Sequence, residues 1–430
     1  MASATTRAEL KPVWVTSQSY QSIIQLQMHI SIIPLLPFLV ASHVNGLAHD
    51  SGVYGPSLEL VHQYYDQFPT GIAVSSTGRM FSCYPLGLDA NNTLYQVAEL
   101  TDSTTEVPYP SAEFNYPPGG AVNYSTSPAT TVNYADHLIS VQSVVVDAKD
   151  RLWILDTGRA TTANNTLLLS SYGGPKLVGV DLATNKVFKT ILFPKDAVYP
   201  NSYPNDVRFD LRPTLPNTSG EGIAYLTDSS PEGRNGLIVV DLGTGKAWRQ
   251  LDGLAITKAE PDFRAFIWGD VVDVSTGTDG IALSADGETL YFGVVSGRDI
   301  YSVPTAVLRD GSSAGRAKAV KSVTKIVQKG VSDGYETDSE GRIYVGSFES
   351  NAINVVYPGN GSVETFVRDP RMGWTDTMSI VTLGGTGNGT EGEGRGYLYF
   401  TENQLWRQER ERPFGLFRVE LPGGAGKVVL

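Results

Sequence analysis

The sequence contains one cysteine, Cys83, among 430 residues. A lone cysteine excludes intramolecular disulfide bonds and cysteine-rich metal sites. The chain also lacks any run of about 18 consecutive apolar residues, the length that a membrane-spanning helix needs. Charged residues make up only 18% of the chain and apolar residues 41%, a balance that excludes a disordered protein. The fold must therefore be held by packing and by hydrogen-bonded secondary structure.

Basic residues are also in deficit, because 33 Lys and Arg face 45 Asp and Glu, for a formal net charge of −12. Phosphate backbones and anionic lipid surfaces repel such a chain, so neither nucleic acid nor a membrane is expected as a partner. The HExxH and P-loop signatures are absent from the sequence. Residues 387–392 match GxGxxG, but they lie in a polar linker between two strand-like segments, which is not a dinucleotide-binding context.

The N-terminal region carries an apolar run at residues 30–41, followed by small residues. This arrangement is typical of a signal peptide and its cleavage site. Because the run begins late, we predict an N-terminal extension at 1–27 (a gene-model artefact), a signal peptide at 28–48 and a single domain at 49–430. The alternative is a buried apolar strand, which the prolines within the run disfavour.

Six N-x-S/T sequons lie in segments rich in Gly, Ser, Thr and Pro, where surface loops are expected. Beside a signal-like segment they predict a secreted glycoprotein. The six acceptor asparagines are Asn91, Asn123, Asn164, Asn217, Asn360 and Asn388.

One sequence unit recurs six times, as a short apolar strand, a polar turn and a second strand rich in aromatic residues. Clear copies are TGIAVSSTGRMFSCY from Thr70, DGIALSADGETLYFGV from Asp279 and DGYETDSEGRIYVGSF from Asp333. Their turns contain Gly78, Gly287 and Gly341, where a positive φ is favoured. The other copies start at Gln142, Asn205 and Asp376.

The spacing between copies leaves room for two further strands in each unit. Sustained helical periodicity is nearly absent, apart from a short segment after Val303. Six units of four antiparallel strands predict an all-β fold, a six-bladed β-propeller. The alternative is a pair of β-sandwiches, which the irregular spacing around a constant inner hairpin disfavours.

The segments SVQSVVVDAKDRLWILDTG, PKLVGVDLATNKVFKTILFP and DGIALSADGETLYFGV follow one another in the order seen in the major royal jelly protein/yellow family. The chain resembles this family from about Leu58 to Phe417. The resemblance implies a secreted six-bladed propeller. Insect members include pigment-pathway proteins linked to dopachrome conversion, amine-binding salivary proteins and nutritive proteins, and this chain lacks their cysteine pairs.

The hairpin units also resemble the blades of gluconolactonase- and strictosidine-synthase-type propellers. Those lactonases hold a divalent metal through a Glu, an Asn and an Asp. The resemblance implies Asn205 and Asp279 as the ligands of Ca²⁺ or another divalent cation, although the first blade has no matching Glu.

Acidic residues gather at one predicted mouth of the channel, because the start of each innermost strand and the end of its hairpin partner lie on the same side of an antiparallel sheet. Closely spaced carboxylates raise one another's pKa and suit a cationic ligand. The plainer interpretation is structural, since Asp and Asn at strand starts often accept backbone N–H bonds. We expect acid–base catalysis from Asp206, Asp279, Asp333 and His137, and ligand binding by Asn205, Asp156, Asp228, Asp376, Glu349, Asn403 and Trp374.

Aromatic residues cluster in loops at 109–124 and 199–206, ahead of the second and third blades. Such loops could roof a pocket for a flat ligand or simply pack on the blade faces. Three arginines that follow second strands are candidate counter-charges for the acidic mouth: Arg159, Arg234 and Arg298.

Three functional hypotheses follow. The favoured one is an enzyme that isomerises, cyclises or hydrolyses a small aromatic or quinone-like metabolite without a redox cofactor, in pigment or secondary-metabolite biosynthesis. The second is a non-catalytic secreted binding protein for an amine or aromatic ligand, and the third is a structural or storage protein. In each case we expect a monomer, and in the first two its partner is a small molecule.

Overall fold

The computed structural model describes residues 50–384 and 394–430. The predicted signal peptide, the Asn388 sequon and the GxGxxG match lie outside the described residues. Within them the chain forms 28 β-strands, arranged mainly in six antiparallel sheets of four strands. This confirms the predicted six-bladed β-propeller.

The first strand of the described chain, β1 (Glu59–Tyr64), belongs to the last blade. Blade one contains β2 (Gly71–Val74), β3 (Met80–Cys83), β4 (Val97–Leu100) and β5 (Glu106–Pro108). A small hairpin follows, made of β6 (Val122–Asn123) and β7 (Thr130–Thr131). Blade two contains β8 (Val141–Val146), β9 (Arg151–Asp156), β10 (Lys176–Asp181) and β11 (Lys186–Leu192). Blade three contains β12 (Pro204–Asp210), β13 (Ile223–Asp228), β14 (Gly236–Asp241) and β15 (Ala247–Gln250).

A second hairpin precedes blade four and consists of β16 (Arg264–Ile267) and β17 (Asp270–Asp273). Blade four contains β18 (Thr278–Leu283), β19 (Thr289–Val294), β20 (Asp299–Pro304) and β21 (Thr324–Gln328). Blade five contains β22 (Tyr335–Thr337), β23 (Ile343–Ser347), β24 (Ala352–Tyr357) and β25 (Ser362–Arg368). Blade six contains β26 (Thr375–Leu383), β27 (Arg395–Glu402) and β28 (Phe414–Glu420), with β1 as its outer strand.

Helical structure in the described chain is confined to short segments, as the sequence predicts. The helices α1 (Thr305–Leu308) and α2 (Ser313–Lys321) lie between β20 and β21, and three 3₁₀ turns span Ala255–Thr257, Phe348–Ser350 and Pro422–Gly424. The Ser312 hydroxyl begins α2 by accepting a hydrogen bond from the Gly315 N–H. No helix within the described residues has the length and apolar character needed to cross a membrane.

The ring is closed by pairing β1 with β28, so strands from the two ends of the propeller share one blade. Glu59 and Arg418 face each other in this pairing and form an ion pair at 2.8 Å. The innermost strands of successive blades pack side by side around the channel, and β26 packs back against β2. The closed ring stabilises the fold without disulfide bonds, because each blade packs against the next.

The inner hairpins turn as the sequence predicts. Gly78, Gly287 and Gly341 have φ values of +85°, +71° and +79°, in the left-handed region that residues with a Cβ avoid. Between blades the core is apolar, as where Trp153 of blade two stacks on Phe209 of blade three with ring centroids 5.2 Å apart. The channel mouths are therefore framed by stiff, closely packed strands.

Candidate functional site

Four innermost strands contain an irregularity at the residue that reaches the channel mouth. In β8, β12, β18 and β26 the pairing register shifts at the strand start, so one or two residues bulge out of the ladder. A β-bulge frees a side chain from the alternation of the strand and re-aims it. The bulged segments contain Gln142, Asn205 with Asp206, Asp279 with Gly280, and Asp376 with Thr377.

Two glycines let neighbouring blades approach closely at this mouth. A Cβ on Gly280 would lie 2.4 Å from the Asp333 carbonyl oxygen, and one on Gly334 would lie 2.4 Å from the Asp376 carbonyl oxygen. The Gly334 N–H donates a hydrogen bond to the Asp376 carbonyl oxygen at 2.9 Å. The glycine that follows Asp279 and the glycine that follows Asp333 are therefore needed for the close packing of neighbouring blades. This packing brings the aspartates of three successive blades close together.

These aspartates form the floor of a cavity of about 110 Å³, which we call the rim pocket. Its floor is acidic, its walls are polar and aromatic, and its collar is apolar. The floor is formed by Asn205, Asp279, Asp333 and Asp376. The walls are Gln142, Tyr203, Ser229, Thr276 and Trp374. The collar is Leu88, Leu167, Pro231, Val295 and Leu405.

Neutral donors orient the three floor carboxyl groups. Asn205 Nδ2 donates to Asp279 Oδ2 at 2.6 Å and also contacts Ser229 Oγ at 2.8 Å. Trp374 Nε1 donates to Asp333 Oδ2 at 2.7 Å. Asn403 Nδ2 donates to Asp376 Oδ2 at 2.7 Å and anchors to the Pro69 carbonyl oxygen at 3.0 Å.

No lysine or arginine within residues 50–384 and 394–430 forms an ion pair with these three aspartates. The three candidate arginines pair elsewhere, each with a carboxylate outside the rim pocket. The pairs are Arg159 with Glu232 at 2.7 Å, Arg234 with Asp252 at 3.2 Å, and Arg298 with Glu349 at 2.7 Å.

Burial shifts the protonation of the floor. It raises the pKa of Asp279 well above its usual value, and the adjacent Asp333 carboxylate raises it further. Burial also raises the pKa of Asp333 to about 6, although hydrogen bonds from Asp279 and Trp374 hold it down. The pKa of Asp376 is raised by burial and then by Asp333. Asp279 and Asp333 therefore share a proton, and near neutral pH the floor carries fewer negative charges than carboxyl groups.

Asp206 is as buried as these three, but it is held in a separate hydrogen-bond network. Its Oδ1 accepts hydrogen bonds from Arg208 Nη1 at 2.9 Å and from Ser143 Oγ at 3.0 Å. Arg208 also reaches Glu336 at 3.6 Å, so one guanidinium lies between two carboxylates. Asp206 is thus brought near the floor, but it does not line the rim pocket.

Other predicted site residues are held in structural networks outside the rim pocket. Asp156 is fully buried, pairs with Lys176 at 2.9 Å and accepts the backbone N–H groups of Ile139 and Ser140. Asp228 pairs with Arg249 at 2.8 Å. Lys176 and Arg249 belong to the two outer strands of their blades, and each neutralises the carboxylate that it pairs with.

Glu349 and His137 also lie away from the rim pocket. Glu349 is paired with Arg298 and accepts the Phe266 N–H at 3.2 Å. His137 Nδ1 lies 3.0 Å from the carboxylate of its chain neighbour Asp136. The asparagines of the five predicted sequons within the described residues are exposed or half-buried: Asn91, Asn123, Asn164, Asn217 and Asn360.

Sequence reasoning did not name several pocket residues. Tyr203 comes from the predicted aromatic loop at 199–206 and donates to Gln142 Oε1 at 2.9 Å, and its burial raises the pKa of its hydroxyl. The apolar collar comes from loops of several blades, so no local pattern marks it. Cys83 is inert, because burial raises its pKa to about 12 and its Sγ donates to the Gln142 carbonyl oxygen.

The described residues contain no group of three or more His, Cys, Asp or Glu side chains arranged to hold a metal ion. The two residues proposed as metal ligands, Asn205 and Asp279, bond to each other through the amide N–H. An amide that turns its nitrogen toward the carboxylate offers no oxygen for a shared cation, so this arrangement does not fit a divalent metal.

Comparison with known proteins places the chain in a family. Major royal jelly protein 1 of Apis mellifera is 27% identical over 175 residues, which cover 40% of this chain and 38% of that protein. Protein yellow of Drosophila melanogaster is 27% identical over 223 residues, covering 49% and 36%. The chain thus aligns with less than two-fifths of the length of these relatives.

Among solved structures, a luciferin-regenerating enzyme superposes with a TM-score of 0.49 at 13% identity, covering 87% of this chain and 100% of that one. A gluconolactonase from Xanthomonas campestris gives 0.42 at 13% identity, covering 87% and 99%. The family model of the major royal jelly proteins matches residues 139–414. Because this match spans well over half of the sequence, the chain belongs to the major royal jelly protein family.

Proposed function

We propose that this protein is a secreted enzyme that isomerises, cyclises or hydrolyses a small aromatic or quinone-like metabolite in the rim pocket. The observation that carries the proposal is the pair of buried carboxyl groups of Asp279 and Asp333, which line one pocket together with apolar residues and act on each other's pKa. Two carboxyl groups that share one proton supply a general acid and a general base at the same place. Secretion is supported by the exposed sequons and by membership of the family.

The two carboxyl groups take different roles because their surroundings differ. Asp333, with a pKa of about 6, is mainly ionised at pH 7 and is the base. Asp279 retains its proton and is the acid. In an isomerisation, Asp333 removes a proton from a carbon next to a carbonyl or imine while Asp279 protonates the heteroatom. The proton and electron pair stay within substrate and pocket, so no redox cofactor is needed.

The rest of the pocket supports binding of an aromatic molecule. Trp374 offers an aromatic wall and orients Asp333 through its N–H. The apolar collar lowers the polarity around the acidic floor, which strengthens electrostatic interactions there. Asp376, without a cationic partner in the described chain, adds a site for a positively charged substituent.

The test is proton exchange at carbon, followed by NMR in D₂O with catechol-derived quinones and their enol analogues. Asp279→Asn and Asp333→Asn should each slow exchange and turnover by about 100-fold or more, because acid–base groups contribute of that order. The exposed Asp196→Asn is the matched control and should behave as wild type. Turnover that persists after combined substitution of Asp206, Asp279 and Asp333 would disprove the proposal.

A second candidate is a non-catalytic binding protein for an amine. It is favoured by the uncompensated carboxyl groups of the floor, which attract a cation. Calorimetry with biogenic amines and catechols separates the two functions. Saturable amine binding without proton exchange or turnover would support this candidate over the enzyme.

A further inference from the structure

A second cavity of about 270 Å³ lies beside the rim pocket, and we call it the flanking pocket. Blade six forms one side of it through Leu60, Phe414 and Phe417, and Trp268 forms the other. Trp374 lines both cavities. The chemistry discussed for the rim pocket does not use this space.

Trp268 stands in an unusual backbone position. It is the first residue of the two-residue turn between β16 and β17, with φ of +50°, and Gly269 follows with φ of +88°. Hairpin turns with two positive φ values favour Asn-Gly, because a bulky side chain is strained there. The indole is nevertheless 40% exposed, so part of its surface is open to a ligand. Such strain is typical of residues that are retained for binding.

The indole is fixed rather than loose. Its Nε1 donates to the Met372 carbonyl oxygen at 3.0 Å, and its ring packs edge-on against Trp406 with centroids 5.2 Å apart. Gly373 lies between these two rings, where a Cβ would come within 3.0 Å of Trp268. Trp268 therefore presents a rigid aromatic surface to the pocket.

The charged groups of the flanking pocket are already compensated within the protein. Arg371 donates from Nε and Nη2 to the Asp369 carboxylate at 2.8 and 2.7 Å. Glu402 accepts the Gly373 N–H at 2.8 Å and the Thr375 hydroxyl, and burial raises its pKa to about 8. The pocket therefore has little net charge to offer, which favours a neutral ligand.

Hydrogen-bonding capacity nevertheless remains. Neither Arg371 Nη1 nor Gln63 Nε2 has an acceptor among residues 50–384 and 394–430, while Glu402 retains unused acceptor capacity. An exposed indole can stack on the apolar face of a ligand, while the planar polar groups beside it form hydrogen bonds with the ligand's polar edge. We propose that the flanking pocket binds a neutral pyranose sugar, stacked on Trp268 and hydrogen-bonded at its edge by Gln63, Arg371 and Glu402.

The chemistry of a sugar ring fits these features. Its C–H groups carry partial positive charge and face the negative π-surface of the indole. Its hydroxyls both donate and accept, so they satisfy a guanidinium N–H, an amide N–H and a carboxyl oxygen at once. The cavity is smaller than the sites that hold drug-sized ligands, which suits a single ring.

The experiment titrates the full chain with methyl glycosides of glucose, galactose, mannose and N-acetylglucosamine, followed by saturation-transfer NMR and calorimetry. At least one glycoside should bind saturably. Trp268→Asn should weaken that binding by about tenfold, because it removes the stacking surface. Asparagine suits the turn, so the hairpin should be kept, and an unchanged thermal midpoint would verify this.

Phe266→Ala is the matched control, because Phe266 is 57% exposed in the same hairpin but does not line the pocket. It should keep wild-type affinity. The proposal is overturned if no glycoside binds saturably, if Trp268→Asn binds as tightly as wild type, or if neutral indole displaces every sugar. If an oligosaccharide with the same terminal sugar binds more tightly than the methyl glycoside, the ligand is the end of a glycan. If the two bind equally, the ligand is a free sugar.

Discussion

The carboxyl groups of Asp279 and Asp333 line the same pocket although they belong to different blades, and each acts on the pKa of the other. Gly280 makes this approach of the blades possible, because its missing side chain leaves room for the Asp333 carbonyl oxygen. The donors Asn205 and Trp374 then fix one oxygen of each carboxyl group. The packing of neighbouring blades thus determines the pKa values of the two carboxyl groups in the pocket.

The shared proton predicts a pH-dependent stability. The pKa of Asp333 is raised from its unfolded value near 4 to about 6, so the folded state binds this proton more tightly than the unfolded state. The contribution of Asp333 to stability should be fully present below about pH 4 and should be lost as the pH rises through about 6, by the order of 2–3 kcal/mol. Urea unfolding between pH 4 and 7 measures this.

Asp333→Asn removes the titrating group and should flatten this part of the profile. Asp196→Asn, an exposed control, should keep the wild-type slope. A profile of the Asp333→Asn variant that still falls as steeply as wild type would show that another group is responsible.

Gly280→Ala should disrupt the contact between blades four and five. Its new methyl group would lie 2.4 Å from the Asp333 carbonyl oxygen and equally close to the Tyr335 ring, so the backbone must shift. We expect a loss of about 1–3 kcal/mol in unfolding free energy, the usual cost of overpacking. Ligand affinity at the rim pocket should fall with it.

Gly359→Ala is the control for this substitution, because a Cβ there has no heavy atom within 4 Å. It should leave the urea midpoint and the ligand affinity unchanged. Equal effects of the two substitutions would mean that glycine flexibility, rather than the close approach of blades, explains the loss.

The buried pair of Asp156 and Lys176 should behave as a unit. Both side chains are fully buried and lie 2.9 Å apart. Asp156→Asn leaves a buried ammonium group without its counter-charge, so we expect a loss of about 3–5 kcal/mol. The double variant with Lys176→Met should recover much of this, and a double-mutant cycle by urea unfolding measures the coupling. Strictly additive losses would contradict the pairing.

The sequence predicted the propeller because the inner hairpin repeats visibly, with glycine at its turns. The pairing of β1 with β28 could not be predicted, since strands at opposite ends of a chain carry no local signal of their pairing. The register shifts in four inner strands were equally hidden, and these decide which side chains reach the channel.

The repeat of the inner hairpin also predicted the general position of the candidate site. Asp279, Asp333 and Asp376 start corresponding strands, so symmetry alone places them at one mouth. Asp156 and Asp228 end the second strands of blades two and three at the same mouth, but they pair with Lys176 and Arg249, whose approach depends on the outer strands of each blade. The flanking pocket depends on a hairpin tip folded against a distant blade, which no repeat pattern encodes.

Trp374→Phe tests whether the indole N–H tunes the base. Phenylalanine keeps an aromatic ring against Phe348, which stacks on Trp374 with centroids 4.1 Å apart. It removes the 2.7 Å hydrogen bond that holds down the pKa of Asp333. The pH midpoint for turnover or for amine binding should therefore move above about 6, with activity at pH 8 largely kept. Trp248→Phe loses an indole bond to the Leu308 carbonyl oxygen, away from the rim pocket, and should not move the midpoint. A midpoint that stays fixed in Trp374→Phe would show that the indole packs against Asp333 without tuning it.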